Sequence, residues 1–314
     1  MRIRELQKAV EETIFVGQSH RLGIFEQLHR KPDTAEGFAD RMKYDLRCTR
    51  VLLEALVEMK YLAKRENTYS ITDDSYARLV DSEGSEYEGS FWNFLMYLIN
   101  PWRSLPYVLE HGKPDQSSYE GFSMIDFIEG MDSPWKKKLA PEIVDLCLRH
   151  CPEAGVVADI GGAPGTMAKE FARRGLRTII YDLPESLEVT RDRLTPLDNI
   201  EVVAGDATKE LPDGPYDIAF LGNICHGQSP DDNAAIMRMC YEQLNEGGVV
   251  IVFDNLRGES YLGATVALHM ITQSPGGDIY SREEYTTWLR EAGFKKITVK
   301  ELSDPAWQIM VGYR

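Results

Sequence analysis

Residues Val156-Val157-Ala158-Asp159-Ile160 form an apolar run of strand length that breaks directly into Gly161-Gly162-Ala163-Pro164-Gly165. The following stretch, Thr166 to Arg174, carries its apolar residues at helical spacing. Strand, glycine turn and helix in that order open an α/β nucleotide-type site. The glycines allow backbone to approach a ligand closely, and the helix N-terminus offers free N–H groups. The same residues also suit a tight strand-to-helix turn without a ligand, so the decision falls to the chain that follows.

Beyond this turn the pattern alternates. Strand-like runs occur at Thr178–Tyr181, Ile200–Val203, Ile218–Leu221 and Val249–Phe253, with helical segments at 166–174, 184–193, 231–245 and 282–292. That repetition predicts a mostly parallel sheet with covering helices. Near the end, Ile297–Leu302 and Trp307–Val311 are separated by only a few residues, among them Asp304-Pro305. A parallel crossover needs a dozen or more, so this pair is expected to be an antiparallel hairpin. A reversed last strand suits a methyltransferase that uses S-adenosylmethionine (SAM) better than a nicotinamide dehydrogenase. Carboxylates fall at the expected strand ends. Asp182 lies about 20 residues past the glycine turn, where an acid accepts ribose hydroxyls, and Asp206 closes the next strand in Ala204-Gly205-Asp206-Ala207.

The first half reads differently. Residues 5–30 have helical periodicity, 34–41 form a short helix, and 50–59 belong to a longer one. Tyr61–Arg65 and Thr68–Thr72 are strand-like around Glu66-Asn67, a hairpin. Helix, helix, hairpin is a winged-helix pattern. Its second helix mixes Arg47 and Arg50 with Asp45, Glu54 and Glu58, so it is no basic reading head for DNA. Residues 91–107 are rich in aromatics, including Trp92 and Trp102, with Met96 among them. Such stripes are usually core, and next to a cofactor domain they also suit one wall of a flat apolar pocket. Phe122 and Met124 are similar candidates. Cys147, His150 and Cys151 sit at a helix end with no fourth ligand near, so no metal site is expected.

Composition narrows the partners. The 314 residues carry a formal net charge of −15, which argues against nucleic acid or an anionic membrane. Five cysteines, sparse and odd in number, are expected to be reduced thiols of a cytoplasmic protein. Charged residues interrupt the N-terminus before any leader-like run, and nothing approaches the roughly 20 apolar residues of a membrane helix.

The order Asp159 to Gly165, Asp182-Leu183-Pro184, Gly205-Asp206, Ile224-Cys225-His226, Gly247-Gly248, Ser274-Pro275-Gly276-Gly277 and Glu291-Ala292-Gly293-Phe294 resembles the SAM-dependent O-methyltransferases of the caffeate/hydroxyindole type over nearly the whole chain. The resemblance implies a winged-helix dimerisation domain at 1–85, a helical connector contributing to an acceptor pocket at 86–145, and a Rossmann-like SAM-binding domain with a seven-stranded sheet at 146–314. It implies a homodimer acting on a small molecule. The turn from Gly161 and Gly162 to Gly165 would cradle the methionine part of SAM, Asp182 would hold the ribose, and Asp206 with Ala207 the adenine, with Asp159, Leu183, Gly205 and Asn223 as further cofactor-binding residues. His226 matches the general base and Asp254 the carboxylate that orients it. Trp92, Met96, Trp102, Phe122, Met124, His269, Met270 and Gln273 would line the acceptor pocket, although His269 on its own reads as a helix histidine.

Three departures from the family pattern stand out. Gly227 and Gln228 follow the base where Asp and Trp are usual, Ile279 stands at the second acidic partner, and Gly222 replaces a frequent lysine. C-methylation, a SAM-binding relative without transfer, and a winged-helix regulator are the alternatives to O-methylation.

Overall fold

The computed structural model describes residues 2–121, 123–191, 194 and 198–314; Phe122 therefore lies outside the described residues. The chain divides into two compact units, residues 1–98 with 129–134, and residues 99–128 with 135–314, so the segment 86–145 is shared between them.

In the first unit the periodic N-terminal stretch forms two helices, Arg2–Arg21 and Ile24–Arg30, broken at Gly23, whose φ is +69°. Thr34 and Asp45 cap the helices Ala35–Met42 and Leu46–Glu58 by accepting the backbone N–H groups of Gly37 and Cys48. The hairpin Leu62–Arg65/Thr68–Ile71 turns at Glu66-Asn67, and Asp33–Thr34 adds a third antiparallel strand. Phe25, Leu28, Phe38, Leu53, Leu56 and Tyr69 fill the core between helices and hairpin. The first helix leaves Ile3, Leu6, Val10 and Phe15 exposed.

The second unit is built on seven strands: β1 (Val156–Ile160), β2 (Arg177–Asp182), β3 (Ile200–Ala204), β4 (Tyr216–Gly222), β5 (Leu244–Asp254), β6 (Lys296–Glu301) and β7 (Gln308–Tyr313). Their spatial order is β3-β2-β1-β4-β5-β7-β6, parallel from β3 to β5, with β7 antiparallel to both neighbours. The expected reversed hairpin is present. Side-chain alternation explains why both faces are covered. Ala158, Ile160, Ala219, Leu221, Val250, Val252 and Met310 enter one core, while Val157, Ile218, Phe220, Ile251, Phe253, Ile309 and Val311 enter the other. Helices pack on each face.

Among the bounds that differ from expectation, the start of β5 moves furthest, to Leu244 from the expected Val249. The helix before β5 is Pro230–Gln243, and Leu244 is already extended because it pairs with Tyr216 across a bulge in β4. Among the described residues no helix is long and apolar enough to cross a membrane.

The strand order reverses between β1 and β4. In open α/β sheets the crevice at such a switch point, outside the carboxyl ends of the strands, receives the ligand.

Candidate active site

The glycine turn leaves β1 at that switch point. Gly161 has φ +70° and Gly165, which starts the helix Thr166–Arg173, has φ +89°. A Cβ on Gly161 would meet the Ile224 side chain at 2.7 Å, so glycine is required there on two grounds. The turn is tied to the neighbouring strand: Gly161 N–H donates to Tyr181 O (2.7 Å) and Ala163 N–H to Asp182 Oδ2 (3.0 Å). Asp182 Oδ1 accepts from Leu183 N–H (2.7 Å). Asp159, Gly161, Gly162, Gly222 and Asn223 line one cavity together with Lys136, Pro164, Thr166, Met167 and Phe253.

This cavity is charged in an unusual way. Asp159 is 2% exposed, and its Oδ2 has no hydrogen-bond partner among the described residues. Burial, then the charge of Asp182, pushes its carboxyl up to about 7; Lys136 and the Ala168 amide oppose the rise. Asp182 is itself raised by burial, against hydrogen bonds from the Ala163 and Leu183 amides and the Ser186 hydroxyl. Asn223, held at φ +60°, likewise leaves its Oδ1 buried and unpartnered. A carboxylate oxygen and an amide oxygen without donors are costly to bury. They suit a ligand that brings a cationic N–H group, and SAM fits this set through its α-ammonium.

Gly205 and Asp206 are placed at the end of β3, as expected, yet much of their chemistry is internal. A Cβ on Gly205 would fall 2.0 Å from the Tyr181 hydroxyl oxygen. Asp206 accepts from the Thr208 N–H and hydroxyl and pairs with Lys209 at 2.9 Å, which with Thr208 lowers its carboxyl to about 2. Ala207 packs on the sheet core.

Directly after Gly222 and Asn223 the chain makes one turn of 3-10 helix, Cys225–Gly227, that carries His226. Its Nδ1 meets Asp254 Oδ1 at 2.7 Å, and Asp254, the last residue of β5, is 1% exposed. That pairing makes Nδ1 the protonated nitrogen and leaves Nε2 to accept a proton. The loop is held from three sides. Asn233 Nδ2 donates to Cys225 O (2.9 Å), Ser274 Oγ to Gly227 O (2.7 Å), and Asp278 N–H to His226 O (3.0 Å). Ile279 is buried, and Asp278 beside it turns toward Arg257 at 3.6 Å, so Asp254 is the carboxylate bonded to the imidazole.

The other candidates separate. Trp102 stacks on His269 with centroids 4.9 Å apart, and burial lowers the His269 pKa. Met270 is the next residue along the same helix, Tyr261–Gln273, and its Cβ lies 3.2 Å from where a Gly277 Cβ would stand, itself 2.9 Å from His226 O. Gln273 contributes its carbonyl, which accepts the Tyr119 hydroxyl at 2.5 Å. Met124 begins the helix Met124–Met131 and is half-buried. Trp92 and Met96 belong to the first unit, where Trp92 packs on the core and Met96 lies over Gly17.

Sequence reasoning missed Lys136 and Tyr285. Lys136 lies 20 residues before β1 in a Lys-Lys-Lys run, an odd cluster in an acidic chain. Tyr285 sits in an apolar stripe with Trp288 and Leu289 that reads as plain core; no spacing signal marks it.

Residues 116–295 match the O-methyltransferase domain family. Over 307 residues the chain is 24% identical to the S-adenosyl-L-methionine-dependent methyl transferase PigF of Serratia sp. (strain ATCC 39006), covering 90% of this chain and 87% of that one. It is 26% identical over 311 residues to the tetracenomycin polyketide synthesis 8-O-methyl transferase TcmO of Streptomyces glaucescens, covering 90% and 88%. A solved structure of PigF with SAH shares the fold at a TM-score of 0.84 and 23% identity, covering 100% of this chain and 99% of that one.

Proposed function

The chain belongs to the O-methyltransferase family and is a SAM-dependent methyltransferase; from that premise we propose that it methylates a hydroxyl of an aromatic or polyketide-like small molecule, with His226 as general base. The observation that carries this reading is the His226–Asp254 pair, which follows directly on Gly222, Asn223 and Phe253 of the cofactor cavity.

SAM supplies a methyl group already activated on a sulfonium. The protein's tasks are to align the acceptor oxygen with that methyl and to exclude water. Asp159 and Asn223 would take the α-ammonium, Lys136 the carboxylate, and Asp182 the ribose hydroxyls. A phenol titrates near pH 10, so at neutral pH its proton must leave as the new bond forms. Nε2 of His226 accepts it, and Asp254 stabilises the resulting imidazolium through Nδ1. Trp102, His269 and Met270 supply apolar surface for a flat acceptor. TcmO is named for an 8-O-methyl transfer in tetracenomycin polyketide synthesis, which supports the choice of acceptor class.

We further read the first unit as a winged-helix dimerisation module of a cytoplasmic homodimer, on its helix–helix–hairpin order and the exposed Ile3, Leu6 and Val10. The net charge of −15 speaks against nucleic acid as a partner.

The test is transfer from methyl-labelled SAM into a panel of phenols, naphthols and hydroxyquinones, with product NMR and with SAH calorimetry alongside. A labelled methoxy product supports the reading. A methyl on carbon redirects it to C-methylation, which the buried Ile279 in place of an acid favours as the second reading. Failure to bind SAH removes the cofactor site and everything built on it.

A further inference from the structure

Asp254 has a second side, and it faces a phenol. Tyr285, on the helix Arg282–Ala292, donates its hydroxyl to Asp254 Oδ2 at 3.3 Å, while Oδ1 accepts His226 Nδ1 and the Asn255 N–H at 2.8 Å. Tyr285 is 0% exposed, and its ring is fixed edge-on between Tyr280 and Trp288. The helix start is fixed too, by a capping box between Ser281 and Glu284. We propose that Tyr285 is a positioning residue that holds the Asp254 carboxylate in register with His226 and spreads its charge, so that the imidazole stays available as a base. The inference rests on the reading of His226 as general base.

Ile279 gives the reason such a residue matters here. It is buried where the resemblance places a second acid, so among the described residues the base has a single carboxylate behind it. A lone buried carboxylate with no donor on Oδ2 would leave that oxygen unpaired in the core and concentrate its charge on the side facing the imidazole. A neutral donor on Oδ2 moderates that charge and also blocks rotation of the carboxyl group.

The neighbouring titratable groups do not compete for this role. The Cys225 thiol, which shares the Tyr285 hydroxyl, is pushed well up by burial and stays neutral. Tyr280 is raised to about 12 by burial and donates away from the pair, to Gln228 O at 2.5 Å. Arg257, Asp278 and Glu284 are paired with one another on the segment outside it. Tyr285 itself is raised well above the ordinary phenol range by burial and then by the Asp254 charge, so it remains a donor.

The test follows the His226 imidazole by NMR as a function of pH in the full-length protein, its signals assigned by their loss in His226→Ala. In Tyr285→Phe the His226 midpoint is expected to rise by roughly half a unit to one unit. Tyr216→Phe is the control. Tyr216 lies in the same core, fully buried, with no hydrogen-bond partner for its hydroxyl among the described residues, and its loss should leave the midpoint in place. An unchanged midpoint in a folded Tyr285→Phe, or an equal shift in both variants, overturns the proposal. If Tyr285→Phe does not fold, the wild-type Tyr285 hydroxyl proton decides: a signal that moves with the His226 titration supports the coupling, and one indifferent to it refutes it. Methyl transfer by His226→Ala at the wild-type rate would remove the base reading instead, which is a separate outcome.

Discussion

Asp159 makes a quantitative prediction about stability and cofactor affinity together. Its carboxyl is 2% exposed, one oxygen lacks a partner, and the folded protein holds it at about 7 against an ordinary 3.8. At 1.36 kcal/mol per pH unit, that rise costs the ionised form on the order of 4 kcal/mol. The sign follows from proton counts. Below 3.8 the group is protonated in both states and contributes no difference. Between 3.8 and about 7 the unfolded chain gives up the proton while the folded one keeps it, so stability falls as pH rises. Above about 7 both forms are ionised and the loss is complete. Asp159→Asn, a neutral isostere, lacks this loss. Urea unfolding of the SAH-free protein should therefore give equal stabilities for variant and wild type at acid pH, and a variant more stable by about 4 kcal/mol above neutrality. SAH binding should run the other way. Its α-ammonium pairs with the ionised carboxylate, so wild-type affinity is expected to climb with pH, by at most about tenfold per unit, and flatten above the folded value. The variant's affinity should be flat and weak. Parallel pH curves for the two proteins, in unfolding or in calorimetry, would refute the reasoning, because every other titrating group is common to both.

Three further outcomes follow. His226→Ala should lower methyl transfer by roughly 10²–10⁴-fold and leave SAH affinity unchanged, and Asp254→Asn should move transfer in the same direction; the labelled-SAM assay reads both. Gly205→Ala places a Cβ 2.0 Å from the hydroxyl of buried Tyr181, which donates to Glu210 O at 2.9 Å. Overpacking of that kind costs ~1–3 kcal/mol, visible as a lower urea midpoint without SAH present; an unchanged midpoint would mean that Gly205 serves the cofactor alone. Val10→Glu, on the exposed stripe of the first helix, should convert a dimer into a monomer by light scattering, and a wild-type monomer at micromolar protein would remove the dimer reading.

The sheet was legible in the sequence because its strands are short, apolar and separated by connections whose lengths limit their direction. Val156–Ile160 is predicted to the residue, and the few residues between β6 and β7 leave no room for anything but reversal. The end of the helix before β5 was not, since Leu244 suits a helix as well as a strand. Only its pairing with Tyr216, 28 residues earlier, draws it into the sheet. The same distinction divides the site. The glycine turn, Asp182 and His226 are local signals, set by where a strand ends.

Contacts that join distant stretches are invisible to periodicity. Trp102 and His269 are 167 positions apart, and each on its own reads as an ordinary helical residue; their stacking depends on how the helices Gly89–Arg103 and Tyr261–Gln273 settle. Tyr285 is the sharper case. Its place in the sequence stripe with Trp288 and Leu289 correctly marks a buried helix face, and burial is all that the stripe encodes. Whether a buried position carries Phe or Tyr matters only through what lies opposite the ring's far end. Here that is Asp254 Oδ2, at the end of a strand 31 residues earlier. A hydroxyl that fits a core pattern becomes informative once its acceptor is known to be the carboxylate bonded to His226. Of the departures from the family pattern, Ile279 is the one this contact answers: it is apolar where the pattern has an acid, and on the proposal above Tyr285 supplies the neutral donor that holds the charge of Asp254 in check.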